Sequence, residues 1–121
     1  MTFQYNALVD RVIDGDTLIC RVDLGFGIWY YTSLRILGIN ARELSQLGGP
    51  EAAANLQTVL PPGTALVVDT LKPDKYGGRY DARIQLSDGR DLATLLVHDG
   101  WAAPWKGAGM KPIPPWPRTA S

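Results

Sequence analysis

The chain has 121 residues, which is enough for one domain with its own hydrophobic core. Its single cysteine, Cys20, rules out an internal disulfide, and the sequence has no Cys/His cluster to bind zinc. Acidic and basic residues are equal in number, 12 of each, which argues against a broad DNA-coating surface but permits a compact site that grips one phosphate.

The N-terminal residues lack the basic and apolar regions of a signal peptide, and no apolar run approaches membrane-spanning length. Hydrophobic residues make up 45% of the chain and charged residues 20%, as in ordinary soluble domains. We therefore expect a cytoplasmic monomer that does not bind membranes.

The first third of the chain has the alternating apolar pattern of three β-strands. We predict them at residues 7–13, 17–24 and 28–39, separated by Asp-Gly-Asp and Gly-Phe-Gly turns. The alternation puts Cys20 on the core side of the second strand, where its predicted role is packing. Three aromatic residues, at 29–31, begin the third strand; they could stack nucleic-acid bases, but packing is the favoured interpretation.

The rest of the chain contains two predicted helices and two predicted strands. Pro50 suits the first turn of a helix, the Pro-Pro-Gly sequence at 61–63 ends it, and Asp91 can cap a second, shorter helix that closes at Gly100. In order, the predicted elements are a helix at 49–60, a strand at 64–71, a loop at 72–78, a strand at 79–86 and a helix at 92–100.

This order of elements predicts a mainly β, α+β fold, namely a five-stranded oligonucleotide-binding (OB-fold) barrel with two flanking helices. We expect the domain to cover residues 1–103 and a tail to cover residues 104–121. Five prolines in the tail exclude a further helix, so we predict an extended segment. It is expected to be ordered only where Trp101, Trp105 and Trp116 pack back on the domain.

The segment from Arg35 to Glu43 is where we expect the chemistry. Arg35 lies between two apolar residues of a strand, so its guanidinium is expected on the side opposite the core. Gly38 lets the chain bend, and Asn40 and Glu43 follow on a loop, where binding and catalytic groups often lie. The alternative is an ordinary surface strand that ends in charged residues.

Asp14 and Asp16 form a second candidate site. They are two residues apart, so in an extended chain both carboxylates lean to one side and could hold Ca²⁺ or Mg²⁺. An EF-hand is excluded because its later ligands are missing. The alternative is an Asp-Gly turn in which the side chains accept hydrogen bonds from backbone N–H groups.

Three segments taken together resemble the staphylococcal-nuclease-like, or thermonuclease, family. They are Asp14-Gly15-Asp16-Thr17, the stretch from Arg35 to Glu43, and Asp74-Lys75-Tyr76-Gly77-Gly78-Arg79, within a resemblance that runs from about Ala7 to Ala102. The resemblance implies a Ca²⁺-dependent nuclease that hydrolyses phosphodiester bonds of DNA or RNA with little sequence preference. It also implies that single strands are favoured and that 3′-phosphates are left.

The resemblance assigns roles to the matching residues around the phosphate. Arg35 and Arg79 would clamp the scissile phosphate, and Glu43 would orient or deprotonate the attacking water. Lys75 and Tyr76 would contact a neighbouring phosphate or nucleotide. Gly78 is an extra residue before Arg79 relative to the usual pattern, so Tyr76 could be displaced from its expected place.

The resemblance also implies a cation site. Asp16, Asn40 and the backbone carbonyl of Ala41 would bind the cation, with Asp14 just outside the direct ligands. Asn40 stands where the best-known members have an aspartate. An amide keeps an oxygen ligand but lacks the negative charge, so we expect weaker affinity, and Mg²⁺ or another divalent cation could replace Ca²⁺. Arg42, which stands in place of the usual proline, is expected to face water.

Two other interpretations remain open. The chain could be a catalytically weak or inactive OB-fold module that binds nucleic acid or a partner protein, and residues 112–117 could form a polyproline II ligand for another domain. Retention of Arg35, Glu43 and Arg79 favours the enzyme. Four other basic residues are expected to be surface residues rather than functional ones: Arg21, Arg83, Arg90 and His98.

Overall fold

The computed structural model describes residues 3–73 and 79–114. Its elements are β1 (Phe3–Asp14), β2 (Thr17–Asp23), β3 (Trp29–Ile36), β4 (Ile39–Ala41), α1 (Gly49–Val59), β5 (Ala65–Pro73), β6 (Arg79–Leu86), α2 (Leu92–His98) and β7 (Ala102–Pro104). Five strands close into a barrel in the order β1-β2-β3-β6-β5, while β4 and β7 form a separate two-stranded sheet. The prediction of a mainly β, α+β fold with a five-stranded barrel and two helices is confirmed.

The inside of the barrel is apolar because alternate residues of each strand point into it. On β2 the inward residues are Leu18, Cys20 and Val22, and on β3 they include Leu34 and Ile36, all of them buried. Burial raises the pKa of the Cys20 thiol to about 12, so this cysteine stays protonated and packs as an apolar group, as predicted.

The third predicted strand, at 28–39, is in fact two strands. Gly38 has φ 88°, a left-handed conformation that lets the chain turn out of the barrel after β3. The next three residues form β4, which pairs antiparallel with β7 so that Asn40 lies opposite Ala103. The sequence predicted the bend at Gly38 but neither β4 nor β7 as a separate strand, because a three-residue strand is too short to show a period.

The other boundaries differ from prediction only at their ends. β1 starts at Phe3 rather than at residue 7, since its first residues pair with β5. β5 continues to Pro73, two residues into the predicted loop at 72–78. Asp91 caps α2 as predicted, and its side chain accepts a hydrogen bond from the Thr94 N–H at 3.0 Å.

The tail after β7 folds back on the domain without forming a helix or strand over residues 105–114. The backbone N–H of Trp105 donates to the Gly38 carbonyl at 2.8 Å, and its indole Nε1–H donates to the Ala108 carbonyl at 3.1 Å. Trp105 therefore meets the condition set for an ordered tail, while Trp116 lies outside the described residues. None of the helices in the described ranges is long and apolar enough to cross a membrane.

Candidate functional site

Buried polar side chains collect in one place in the described part of the chain. They are Asp16, Thr17, Arg35 and Asn40, and we call these four residues the polar layer. They come from the turn after β1 and from β2, β3 and β4, so four consecutive parts of the chain supply one residue each. The concentration matters because buried polar groups are costly unless each finds a partner.

Gly15 brings the Asp-Gly-Asp turn close to β4 and α1. A Cβ at this position would lie 2.8 Å from the Cβ of Ala41 and 3.0 Å from the Cβ of Ala52, too close for any side chain to fit without displacement. Within the turn, Asp14 Oδ1 accepts a hydrogen bond from the Asp16 N–H at 3.1 Å. The Asp-Gly turn considered as an alternative is thus formed, and it delivers the Asp16 carboxylate to the polar layer.

Asp16 connects β2, β3 and β4 through its two carboxylate oxygens. Oδ1 accepts from the Thr17 hydroxyl at 3.1 Å, and Oδ2 accepts from the Ala41 N–H at 3.0 Å. Oδ2 also lies 3.4 Å from Nη2 of Arg35. That last distance is long for a charge-assisted bond, so the guanidinium is held near Asp16 but is not saturated by it.

Arg35 projects from β3 on the side opposite Leu34 and Ile36, as the alternation predicts, and it is covered by the tail. Its Cζ lies 5.2 Å from the centroid of the Trp105 ring, within cation–π range. Stacking on one face of a planar guanidinium leaves the N–H groups at its edge able to donate. The tail therefore fixes the plane of Arg35 without using up its donors.

Glu43 lies on the loop between β4 and α1, in a fixed backbone conformation. Its N–H donates to Gln46 Oε1 at 2.7 Å, and its carbonyl accepts from the Gln46 N–H at 2.8 Å. A Cβ on Gly49 would overlap that same carbonyl, so the loop requires glycine at the start of α1. The Glu43 side chain is 59% exposed, and its Oε1 lies 3.6 Å from Nζ of Lys111.

Lys111 connects the Glu43 side of the site to the Arg35 side. Its Nζ lies 5.5 Å from the Trp105 ring centroid, and the same ring contacts Arg35. A continuous series of contacts thus runs from Asp16 through Arg35, Trp105 and Lys111 to Glu43. The tail therefore contacts both Arg35 and Glu43.

Two further side chains of the site hold the tail by its carbonyls. Asn40 Nδ2 donates to the Pro112 carbonyl at 3.0 Å, and Arg42 Nη2 donates to the Pro114 carbonyl at 2.7 Å. Arg42 Nη1 also donates to the Leu47 carbonyl at 3.2 Å. The expectation that Arg42 faces water is therefore wrong: prolines offer carbonyl acceptors but no N–H, and a guanidinium is a suitable donor for them.

The remaining predicted residues lie on β6 and before it. Arg79 opens β6, and its Cα pairs with Ser33 of β3, two residues from Arg35. The two arginines thus stand on neighbouring strands. Lys75 and Tyr76, expected to contact a neighbouring phosphate or nucleotide, lie outside the described residues.

The oxygen groups around Asp16 fit a hard divalent cation in their chemistry, although they carry little negative charge. Asp16 is held against the Asn40–Ala41 strand, and Asp14 precedes it by two residues. Burial, together with the negative charge of Asp16, raises the pKa of Asp14 to about 6, a repulsion that a bound cation would relieve. No three His, Cys, Asp or Glu side chains come together within the described ranges.

The sequence predicted that Trp105 packs back on the domain, but not its contact with Arg35 or the position of Lys111 beside Glu43. The only signal was a large aromatic ring in a proline-rich segment, where a ring that is not buried would be exposed to water. Its contact with Arg35 joins positions 70 residues apart, and no local pattern encodes such a pairing.

The exposure of other side chains agrees with the prediction for the basic residues but not for the aromatic ones. His98 is exposed at the end of α2, as predicted, and Arg83 and Arg90 are exposed as well. The aromatic residues that begin β3, expected to pack, are instead exposed.

The chain matches no protein-family model, and no curated protein sequence matches it. The likeness to the thermonuclease family consequently stands on the three motifs, and the site has to be judged by its own geometry.

Proposed function

We propose that this protein is a Ca²⁺-dependent nuclease that hydrolyses phosphodiester bonds of nucleic acid with low sequence specificity. The observation that carries the proposal is the state of Arg35, a buried guanidinium held by Asp16 on one side and Trp105 on another. Such a group is oriented before a substrate arrives, and its edge remains free to bind two oxygens of a phosphate.

Phosphate hydrolysis places additional negative charge on the phosphoryl oxygens. Arg35 supplies planar donors for that charge in a site where water is partly excluded. We assign the second set of donors to Arg79, whose backbone lies on the adjacent strand. Loss of one such donor commonly costs roughly a hundredfold or more in rate. Replacement of either arginine is therefore expected to slow hydrolysis strongly.

Glu43 is the proposed general base for the attacking water. It accepts a proton as the water oxygen bonds to phosphorus, while the bond from phosphorus to the 5′ oxygen of the leaving nucleotide breaks. That oxygen takes up a proton from solvent, leaving a 3′-phosphate and a 5′-hydroxyl. Lys111 has to move away from Glu43 first, and an exposed ion pair at 3.6 Å opposes this by only about 0–1 kcal/mol.

Asp16, Asn40 and the backbone of Ala41 would hold the divalent cation, with Asp14 beside them. A bound cation supplies further stabilisation of the developing phosphoryl charge. Because Asn40 is neutral and Asp16 already pairs with Arg35, the affinity is expected to be modest, and Mg²⁺ could serve in place of Ca²⁺.

A second candidate function is a barrel that binds nucleic acid or a partner without turnover. The contacts that favour it are those of the tail, since Lys111 pairs with Glu43 and Trp105 stacks on Arg35. A binding module predicts affinity that a chelator does not change and no cleavage at all.

A cleavage assay separates the two functions. The purified chain is incubated with fluorescently labelled single-stranded DNA or RNA in Ca²⁺, Mg²⁺ or EDTA, beside Glu43→Gln and Glu51→Gln variants. Glu51 is an exposed carboxylate in the first turn of α1, so its variant controls for the loss of one surface charge. We expect cleavage that needs the cation, falls roughly a hundredfold or more in Glu43→Gln and is unchanged in Glu51→Gln. Equal rates for all three proteins would refute the nuclease.

A further inference from the structure

We propose, building on the nuclease function above, that the outer face of β2 and β3 binds a single strand of nucleic acid that continues from the site at Arg35. We call the two rings on this face, Trp29 and Tyr31, the aromatic ledge. The occupant is a few unpaired nucleotides beyond the scissile phosphate, with bases stacked on the ledge.

The alternation of β3 gives the path of the strand. Trp29, Tyr31, Ser33 and Arg35 are at every second position, so they share the face opposite the core residue Leu34. At about 3.3 Å per residue, Tyr31 lies roughly 13 Å and Trp29 roughly 20 Å from Arg35 along the strand. Those lengths correspond to a few nucleotides, at about 3.4 Å per stacked base or somewhat more where the strand is extended.

The rings of the ledge are available to solvent. Tyr31 is 59% exposed and Trp29 is 48% exposed, although both belong to a well-paired strand of the barrel. Arg21 lies directly opposite Tyr31 on β2, and thus a guanidinium stands beside the ring where a phosphate would follow a stacked base. Stacking of a base on an aromatic ring contributes about 1–3 kcal/mol and does not depend strongly on which base is present.

The turn between β2 and β3 extends the ledge to its tip. Phe26 is fully exposed, and its φ of 55° makes it the only non-glycine residue with positive φ in the described ranges. The conformation is held by hydrogen bonds between Leu24 N–H and the Ile28 carbonyl, at 3.0 Å, and between Ile28 N–H and the Gly25 carbonyl, at 2.9 Å. A strained residue that presents an apolar ring to water, at the end of a row of exposed rings, indicates a ligand.

Continuity with Arg35 selects a single strand over other occupants. The strands that carry the ledge, the second and third of the barrel, form the face on which OB folds bind oligonucleotides. Bases within a duplex are stacked on each other and cannot stack on protein rings without being unpaired. If a second copy of this chain, another protein or a lipid surface occupied the rings, the affinity for nucleic acid would not depend on oligonucleotide length through them.

Oligonucleotide length therefore provides the test. Fluorescence anisotropy in EDTA, which prevents cleavage, measures the dissociation constants for labelled oligothymidylates of 3 and 10 nucleotides. The variant is Trp29→Thr with Tyr31→Thr, since threonine retains β-propensity, and Trp29→Phe with Tyr31→Phe tests rescue by stacking alone. Phe3→Thr is the matched control, because Phe3 is also an exposed aromatic residue but lies at the start of β1.

We expect the wild type to bind the 10-mer more tightly than the 3-mer and the threonine variant to lose roughly tenfold or more of its 10-mer affinity. The 3-mer affinity should stay within about twofold, and the phenylalanine variant should recover most of the loss. Equal 3-mer and 10-mer affinities in the wild type, or unchanged 10-mer affinity in the threonine variant, would overturn the ledge. A change of oligomeric state on gel filtration of that variant would also overturn it, in favour of a contact between copies.

The outcomes separate this proposal from the nuclease itself. A wild type that cuts with Ca²⁺ while the threonine variant cuts and binds equally well refutes the ledge and leaves the nuclease standing. A wild type that binds the 10-mer through the ledge but never cuts supports the ledge and refutes the nuclease.

Discussion

The interior of the barrel and the polar layer are built from neighbouring positions of the same strands, with opposite chemistry. Leu34 and Ile36 are completely buried among apolar side chains, whereas Arg35 between them is buried against Asp16 and Trp105. The interior is enclosed by the strands of the barrel, and apolar residues of α1 and α2 pack against it. The polar layer is covered by the tail, which has no regular secondary structure over residues 105–114 and to which Asn40 is hydrogen-bonded.

The two regions differ in what they give to stability. Burying Leu34 or Ile36 stabilises the fold by roughly 1.5–3 kcal/mol each. Burying a guanidinium and a carboxylate costs several kcal/mol in desolvation, which their mutual attraction only partly offsets, so a buried ion pair is weak evidence for stability. The apolar interior therefore accounts for the stability of the barrel, and the polar layer needs another reason to be kept.

The largest expected effects are on cleavage rate and on stability, and they come from substitutions at two adjacent positions of β3, one in each region. Arg35→Lys keeps the charge but loses the planar fork, so cleavage is expected to fall roughly a hundredfold or more while the protein stays folded. Leu34→Ala leaves the layer intact and is expected to lower the free energy of unfolding by about 2–5 kcal/mol. Urea denaturation and initial cleavage rates at a temperature where both variants are folded measure the two effects separately.

The opposite pattern would break the comparison. If Arg35→Lys mainly lowered the free energy of unfolding and left cleavage per folded molecule unchanged, the polar layer would be a structural ion-pair network. Arg90→Lys serves as the control for an arginine-to-lysine change, because Arg90 forms only an exposed pair with Asp88 on a turn.

The barrel was predictable because its evidence is local. β6 alternates strictly and β2 does so except at Ile19, and the breakers between strands lie where the turns form. The sequence therefore predicted β6 at its observed bounds and β2 to within one residue. The Asp-Gly-Asp turn and the side of β3 on which Arg35 lies follow from the same period. These features needed no knowledge of which segments meet.

The way the tail covers the site was not predictable, because it depends on contacts between residues that are far apart in the sequence. β4 and β7 have three residues each, too few for a period, and they join Asn40 to Ala103. Trp105 on Arg35 and Arg42 on Pro114 are likewise long-range contacts. The aromatic ledge illustrates a different limit: β-propensity is the same for a ring that packs and one that is exposed, so the sequence favoured packing at Trp29 and Tyr31.

The pH dependence of stability tests whether the ionised Asp14 carboxylate, next to Asp16 of the polar layer, destabilises the fold. Asp14 has a pKa raised by burial and by Asp16 to about 6, against an ordinary 3.8. Since the folded state favours the protonated acid, its contribution to stability is complete below pH 4 and is lost as the pH rises through 6. The full shift would correspond to about 3 kcal/mol, but a partly exposed carboxyl delivers only about 1 kcal/mol of it.

Asp14→Asn mimics the protonated acid and keeps an oxygen for the Asp16 N–H. We expect the difference in unfolding free energy between wild type and variant to grow from pH 4 to pH 7, with the variant more stable at pH 7. Asp23→Asn is the control, since Asp23 accepts a comparable bond from the Gly25 N–H at 2.8 Å in an exposed turn. A constant difference across this pH range would show that Asp14 does not carry the effect.

The smallest expected effect is on kcat/KM, when Lys111 of the tail that covers the polar layer is replaced. Lys111 lies 3.6 Å from Glu43, and both side chains are substantially exposed, so the pair is worth about 0–1 kcal/mol. If the tail is a cover that the substrate displaces, Lys111→Ala should raise kcat/KM by up to about fivefold, because Glu43 is released at lower cost. Lys106→Ala, an exposed lysine of the same tail, should leave kcat/KM unchanged. Slower cleavage in Lys111→Ala alone would instead make the lysine part of the substrate site, and the wall of the layer would then be as much a part of the chemistry as Arg35 and Glu43.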